Sequence, residues 1–389
     1  MQLVAYGRQD IHLTGNPQIT FFKVVYRRHT NFAMESIQQT VGGRDSWAKL
    51  GQKISCTFAL NGDLLGRVYL EMDVNAANFL GAGEGDGPAF GERVGHAAID
   101  YIECEIGGQC IDKQYGEWMD IWAQLSSSNE QWTKLNRLVN GTLPSNRADG
   151  KVYVPLQFWF CRNPGLAIPL ISLRHNHEVK LNVKFNNAAT LAGIGDINNF
   201  RIFADYFYLD TDERRRFAQV SHQYLIEQVQ FSNTLSQGEG SAQHELRFKH
   251  PVKELVWALK DNSYATDGTT VFDYFDHANK DDICQTALLK LNGRDRFSIR
   301  DGAYFRCVQP FQHHTGGHQQ KQTNQLGGFY CYSFGLNPEE HQPSGTCNFS
   351  RIDNAVLNVS AQSASKLKVW AVNYNVLRIT RGMGGLAYK

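Results

Sequence analysis

Few residues in this chain have the type and spacing that chemistry needs. His175 and His177 in "SLRHNHEVKLNVKF" stand two apart, which turns two imidazoles to one face of a strand as a metal site requires. A β-barrel metal site of that kind also needs a glutamate a few residues further on. Leu181 and Asn182 occupy that stretch, and Glu178 adjoins His177 and points to the opposite face. Metal binding is therefore not expected. His313, His314 and His318 fall in the Gln/Gly-rich "QHHTGGHQQ" and are read as solvated loop side chains. No nucleophile elbow, phosphate loop or zinc-finger spacing occurs, and a pair of convergent carboxylates cannot be recognised from the sequence of a β-rich chain. No catalytic, cofactor or metal residue is assigned, and the chain is not expected to be an enzyme.

The eight cysteines contain no C-x-x-C pair. Cys104 and Cys110 flank Gly107-Gly108, and a two-residue hairpin there sets Cys104 opposite Ile111 and Cys110 opposite Glu105, on different faces. Reduced, mostly buried thiols are expected. Of three N-x-S/T sequons, Asn348 and Asn358 fall in segments that read as core strand or close-packed turn, leaving Asn140 in "VNGTLPSNRADG" as the one acceptor to consider. The charge is nearly balanced, 39 basic against 38 acidic residues, and the longest basic run is Arg214, Arg215 and Arg216. Direct nucleic-acid binding, which needs a concentrated basic face, is not expected. With neither a leader pattern nor a bilayer-length apolar stretch, the chain reads as a soluble product of the cytosol.

The elements that must position these residues are mostly strands. At 389 residues two domains are the prior. Val179, Leu181, Val183 and Phe185 alternate with Lys180, Asn182 and Lys184, and Val68, Leu70, Met72 and Val74 repeat the period, as do Leu246 and Phe248 between charged residues. Asn61-Gly62 and Asn292-Gly293 suit hairpin turns, one in each half, a hint of duplication. Helical spacing is confined to two places. Tyr115, Trp118, Met119, Trp122 and Leu125 predict an amphipathic helix packed on the first domain. "DTDERRRF" predicts a second, with Asp210 as N-cap and Glu213 reaching back to it. Arg214, Arg215 and Arg216 beside Asp205, Asp210, Asp212 and Glu213 read as inter-domain or inter-subunit ion pairs rather than a phosphate site. The long polar stretches 75–98, 260–282 and 312–328 read as interaction loops.

Several segments in a fixed order carry a resemblance: "LVAYGRQDIHLTGNPQITFFKVVYRRHTNFAMES", "FADYFYLDTDERRRFAQ", "HQYLIEQVQ", "DGAYFRCVQPFQHHT", "YSFGLNPEEHQPSGTCNFSRIDNA" and "VWAVNYNVLRITRGMGGLAY". Together they resemble the major capsid proteins of nucleocytoplasmic large DNA viruses. The resemblance implies an all-β chain of two consecutive eight-stranded antiparallel jelly rolls with a few short helices: residues 1–209, a helical linker at 210–221, and residues 222–389. It further implies a homotrimeric, pseudo-hexameric capsomer tiling an icosahedral shell, with outward-facing loops, minor capsid proteins and an internal membrane beneath, and assembly in the host cytoplasm. Host receptor glycans are a further candidate partner. Two other roles are kept open: a minor capsid or scaffold protein of the same fold, and a glycan-binding surface lectin.

Overall fold

The computed structural model describes residues 7–42, 51–75, 93–140, 149–173, 177–187, 197–261, 272, 274, 282–317 and 328–388. In the first half the strands are β1 (Phe32–Gln39), β2 (Val41–Gly42), β3 (Lys53–Thr57), β4 (Leu64–Asn75), β5 (Ile99–Ile106), β6 (Gln109–Tyr115), β7 (Asp149–Pro155), β8 (Ile168–Pro169), β9 (Val179–Phe185) and β10 (Ile197–Leu209). The second half holds β11 (His222–Gln237), β12 (Gly240–Glu245), β13 (Pro251–Asp261), β14 (Cys284–Leu291), β15 (Arg294–Asp295), β16 (Arg300–Asp301), β17 (Phe329–Ser333), β18 (Cys347–Asn348), β19 (Ala355–Ala361), β20 (Ser365–Thr380) and β21 (Met383–Leu386). Helices are α1 (Ile11–Thr14), α2 (Val94–Ala97), α3 (Gly116–Ser126), α4 (Asn129–Asn140), α5 (Trp159–Arg162), α6 (Thr211–Gln219) and α7 (Gln309–His313).

The sheet orders are β1-β10-β4-β7 and β2-β3-β9-β5-β6 in the first half, and β11-β20-β13-β17 and β12-β19-β14-β15 in the second. Leaving out β2, β8, β16, β18 and the terminal β21, and keeping the two-residue β15 that closes the β14 hairpin, each half has eight strands among the described residues. In both halves one sheet then runs first, eighth, third, sixth and the other second, seventh, fourth, fifth, with every pairing antiparallel. Closing the first strand against the eighth makes each half a jelly roll, so the fold is a double jelly roll. Residue types explain the layers: Leu181, Val183 and Phe185 are buried while Lys180 and Lys184 are not, and Val68, Leu70 and Met72 line the opposite sheet.

Several expectations about local structure need correction. Asn61-Gly62 makes no hairpin, because β3 and β4 belong to different sheets. The chain crosses between them, with Gly62 so close to Tyr206 that a Cβ would stand 2.8 Å from its Cβ, and with Asp63 accepting from the Leu209 N–H. Asn292-Gly293 does turn with positive φ (50° and 76°), and its counterpart by strand order is Gly107-Gly108 (59° and 79°), each joining the fourth and fifth strands. The repeat is thus in the strand order and not in the two Asn-Gly pairs. In the Gly107-Gly108 hairpin Cys110 does face Glu105, but Cys104 faces Asp112 because Ile111 is bulged out of register. Leu246 and Phe248 are buried but follow β12 outside any ladder. α4 was not anticipated, although Trp132, Leu135 and Val139 fall at helical spacing and Trp132 and Val139 are buried.

Candidate functional site: the joint and the exposed arm

The helix α3 decides how the two sandwiches meet. Trp118 and Trp122 are one turn apart and stack with centroids 5.8 Å apart, and Trp118 reaches Trp370 on β20 at 6.2 Å. Trp370 continues to Phe231 at 5.5 Å, and Phe231 returns to Tyr115 at 4.8 Å. This aromatic chain crosses the boundary twice. The helix therefore packs between the sandwiches and not on the first alone, and one buried cluster contains both Leu70 and Phe185 of the first half and Ile226 and Trp370 of the second.

Polar contacts tie the same boundary. Asp112 on β6 accepts from the Val229 N–H at 3.0 Å, Gln228 donates to the Ile111 carbonyl, and Lys368 pairs with Glu117. Burial drives the Asp112 pKa up from 3.8 to about 6, against the bonds from Val229 and Gln114. Arg162 on α5 donates to Glu227 on β11 at 2.8 Å, and Lys253 lies 2.8 Å from the other oxygen of the same carboxylate. Burial lowers the Lys253 pKa, and the Glu227 charge resists it. Arg162 also covers the Trp122 ring at 4.4 Å.

His314 corrects the expectation of a solvated loop. Its side chain is 0% exposed, with Nδ1 3.0 Å from Glu339 and Nε2 3.1 Å from Glu254, the latter a close ion contact without hydrogen-bond alignment. The ring meets Trp122 edge-on at 6.4 Å. Burial alone would lower its pKa, but the Glu254 charge, with bonds involving Cys331 and Glu339, outweighs burial and raises it from 6.5 to about 12. Glu339 is pushed up by burial, yet its bonds from His314 and Thr315 hold it below its usual range. Arg162, Lys253 and His314 thus face Glu227, Glu254 and Glu339 beside Trp122. Next to this network the Gly316 N–H donates to the Leu125 carbonyl at 2.7 Å, and a Cβ on Gly316 would stand 2.3 Å from the Gln124 carbonyl oxygen. The segment after α7 is therefore seated on the C-terminal end of α3. His313 is half-buried, its Nδ1 2.9 Å from the Leu336 carbonyl, and His318 lies outside the described residues.

The linker α6 is polar except for Ala218 and the half-buried Phe217, which stacks on His222 at 5.1 Å. Asp210 caps it through the Thr211 N–H, but Glu213 does not close the capping box, since its buried Oε2 has no hydrogen-bond partner among the described residues. Arg214 reaches Asp63 of the first sandwich at 3.1 Å. Arg215 makes no inter-domain ion pair among the described residues: it is 65% exposed and its one ion pair there is with Asp212, at 4.0 Å on its own helix. Arg216 is exposed and makes no ion pair among the described residues. Asn140 ends α4, and the rest of its sequon lies outside the described residues. Asn348 is exposed and accepts from the Ser350 N–H, while Asn358 is half-buried on β19. Of the His175/His177 pair only His177 is described, and the tips of the predicted loops at 76–92, 262–271 and 318–327 likewise lie outside. Among the described residues no cluster of three or more His, Cys, Asp or Glu side chains could hold a metal ion.

Sequence reasoning assigned no assembly role to the segment before β1. Among the described residues, 7–31 hydrogen-bond only among themselves, yet they carry Phe21, Phe22, Val24, Val25 and Tyr26 exposed, Phe22 at 99%. Phe32 and Met34 extend that surface onto the edge strand β1. A contiguous apolar surface of this kind marks a contact with another molecule.

Two jelly rolls of one strand order, fused through a packed joint and bearing an uncovered apolar arm, define a double jelly-roll capsid subunit. Residues 20–210 match the family model described as major capsid protein N-terminus, and residues 213–385 the one described as large eukaryotic DNA virus major capsid protein. The chain belongs to the major capsid protein family of large eukaryotic DNA viruses. It is 48% identical to the major capsid protein of Pyramimonas orientalis virus over all of this chain and 98% of that one, and 39% identical to that of Paramecium bursaria Chlorella virus 1 with equal coverage. Among solved structures it resembles VP54 of PBCV-1 with a TM-score of 0.81 and 34% identity, covering 95% of this chain and all of that one. The Faustovirus major capsid protein shares the fold at a TM-score of 0.74 and 12% identity, over 96% of this chain and 94% of that one. The chain is a capsid component of the virion and acts by self-association into the shell.

Proposed function

We propose that three copies associate into a pseudo-hexameric capsomer and that this trimer is the unit that tiles the shell. The observation that carries the reading is the repeated strand order: one chain contributes two bodies of the same architecture, locked by the joint, so three copies present six similar corners. The arm and β1 supply the apolar surface that a stable interface requires. Arg215 and Arg216, free to point outward, are read as contacts to a neighbouring subunit. The working division of the chain is a first jelly roll at 1–209, a helical linker at 210–221 and a second jelly roll at 222–389.

The finer partners follow from the same reading. The balanced charge favours minor capsid proteins and an underlying membrane over direct contact with the genome, and assembly takes place in the host cytoplasm. A scaffold of packed sandwiches with its buried charges paired favours a structural part over catalysis. Host receptor glycans remain a partner of the loops, and Asn140 is left unmodified by a cytosolic route. Deleting residues 1–31 tests the trimer. Full-length protein is expected at three times the 44.0 kDa chain mass by light scattering, and the deletion variant at the monomer mass with an unchanged melting temperature. A full-length monomer overturns the reading.

A further inference from the structure

Within the chain, α3 follows the fifth strand of the first sandwich and covers the outer face of the second sandwich's sheet β11-β20-β13-β17. Trp370 on the eighth strand pairs there with Phe231 and with Val256 of the third, and Val256 pairs with Cys331; all pack with Trp118 and Trp122 in one cluster. The corresponding face of the first sandwich, on β1-β10-β4-β7, is left partly open. Phe203 and Phe207 on β10, Tyr69 on β4 and Tyr153 on β7 are half-buried, and Phe32 and Met34 on β1 are 55% and 63% exposed. Phe203 of the eighth strand pairs with Tyr69 of the third, as Trp370 does with Val256, and Met34 pairs with Phe207. Tyr69 stacks on Phe203 at 5.1 Å and meets Tyr153 at 6.5 Å, while Phe32 meets Phe207 at 6.3 Å. An aromatic row across four strands, open to solvent, marks a contact surface.

The second sandwich has its own helical segment in the place that α3 takes in the first, between the fifth and sixth strands. There the π-helical turn Tyr304–Val308 runs into α7 beside the edge strand β17, where Gln309 accepts from the Ser333 N–H at 3.0 Å. β17 is the edge of its sheet farthest from β11. The segment shows Phe311 at 87% exposure and Val308 at 39%. Helix and open face are both uncovered in the same chain, so they do not meet each other there. Two unlike surfaces, one on each half, are what a closed head-to-tail ring needs: each copy offers one to the copy ahead and the other to the copy behind.

We propose that the α7 segment of one copy, through Val308 and Phe311, covers the outer face of β1-β10-β4-β7 in the next copy. The contact between chains thereby repeats the packing that α3 makes within one. The occupant of the aromatic face is a second copy of this chain, and the assignment rests on the trimer reading above. Six contacts of one kind, three within chains and three between them, then surround the axis of the capsomer.

Sedimentation velocity of the full chain, with Phe311→Asp on the helix and Met34→Asp on the sheet face as variants, tests the contact. Hydroxyl-radical footprinting of Tyr69 and Tyr153 accompanies it. Both substituted residues are exposed, so each variant keeps the wild-type far-UV circular dichroism. Expected is a wild-type trimer, association weakened at least about tenfold in each variant, and slower oxidation of Tyr69 and Tyr153 in the trimer than in the dissociated variants. Wild-type trimers with unchanged association in either variant, or with Tyr69 and Tyr153 oxidised as fast as in dissociated chains, overturn this contact and leave the trimer standing. A monomeric wild type overturns the trimer reading and the contact with it.

Discussion

Replacing His314 with Gln removes one positive charge from a buried network while nearly keeping the volume. In the native chain the imidazolium lies 3.1 Å from Glu254 and 3.0 Å from Glu339. At an effective dielectric of about 20, each contact carries an attraction of about 5 kcal/mol before desolvation is charged against it. Removing one partner of a buried pair costs about 3–5 kcal/mol, because the remaining charge is stranded. A glutamine amide still donates one hydrogen bond, so His314→Gln is expected at about 3 kcal/mol. The pH dependence follows from the direction of the shifts. The His314 pKa rises from 6.5 to about 12 on folding, so its contribution is complete below pH 6.5 and is lost as pH climbs toward 12. In the variant burial of Glu339 is no longer opposed by His314, so its carboxyl takes up a proton in the folded state while unfolded glutamates are still ionised. The deficit is therefore smallest near pH 4.5 and grows to pH 6.5. Urea midpoints of both proteins at pH 5 and pH 6.5, at matched protein concentration, give the numbers. A deficit under about 1 kcal/mol at pH 6.5, or one identical at the two pH values, refutes the paired-cation account.

Trp118→Ala removes the fully buried link to Trp370 and is expected to cost about 3–5 kcal/mol, with the two sandwiches then melting in separate transitions by calorimetry. Gly316→Ala drives a Cβ into the carbonyls at the end of α3, and soluble yield and melting temperature should both fall. Asp112 contributes stability that is present below pH 3.8 and lost as pH rises through about 6, so Asp112→Asn should flatten the pH–stability curve across that window in thermal scans. Arg215→Glu is expected to leave the melting temperature of the subunit unchanged while lowering the assembled mass by light scattering, since the side chain is 65% exposed and its one ion pair among the described residues is the 4.0 Å contact with Asp212.

The strands were legible because one face of each is buried, so Val179 to Phe185 announces itself by period two. The capped linker helix was equally readable from Asp210. The joint was not. Trp118 and Trp122 identify a helix with an aromatic face, but whether that face meets one sandwich or two depends on Trp370, over two hundred residues later. His314 reads as polar loop because its partners Glu254 and Glu339 are distant in sequence and its neighbours are Gln and Gly. Asn61-Gly62 misled for a related reason: the dipeptide favours a tight turn, but pairing is decided by which sheet each flanking strand joins. The arm carried its signal openly, in Phe21, Phe22, Val24, Val25 and Tyr26, but a run of apolar residues reads as core until a structure leaves it uncovered.

Negative-stain electron microscopy of the purified full chain tests the central claim most directly. The account expects particles with threefold symmetry, a six-cornered outline and two lobes per subunit. A field of isolated two-lobed monomers, or of twofold particles, would contradict it.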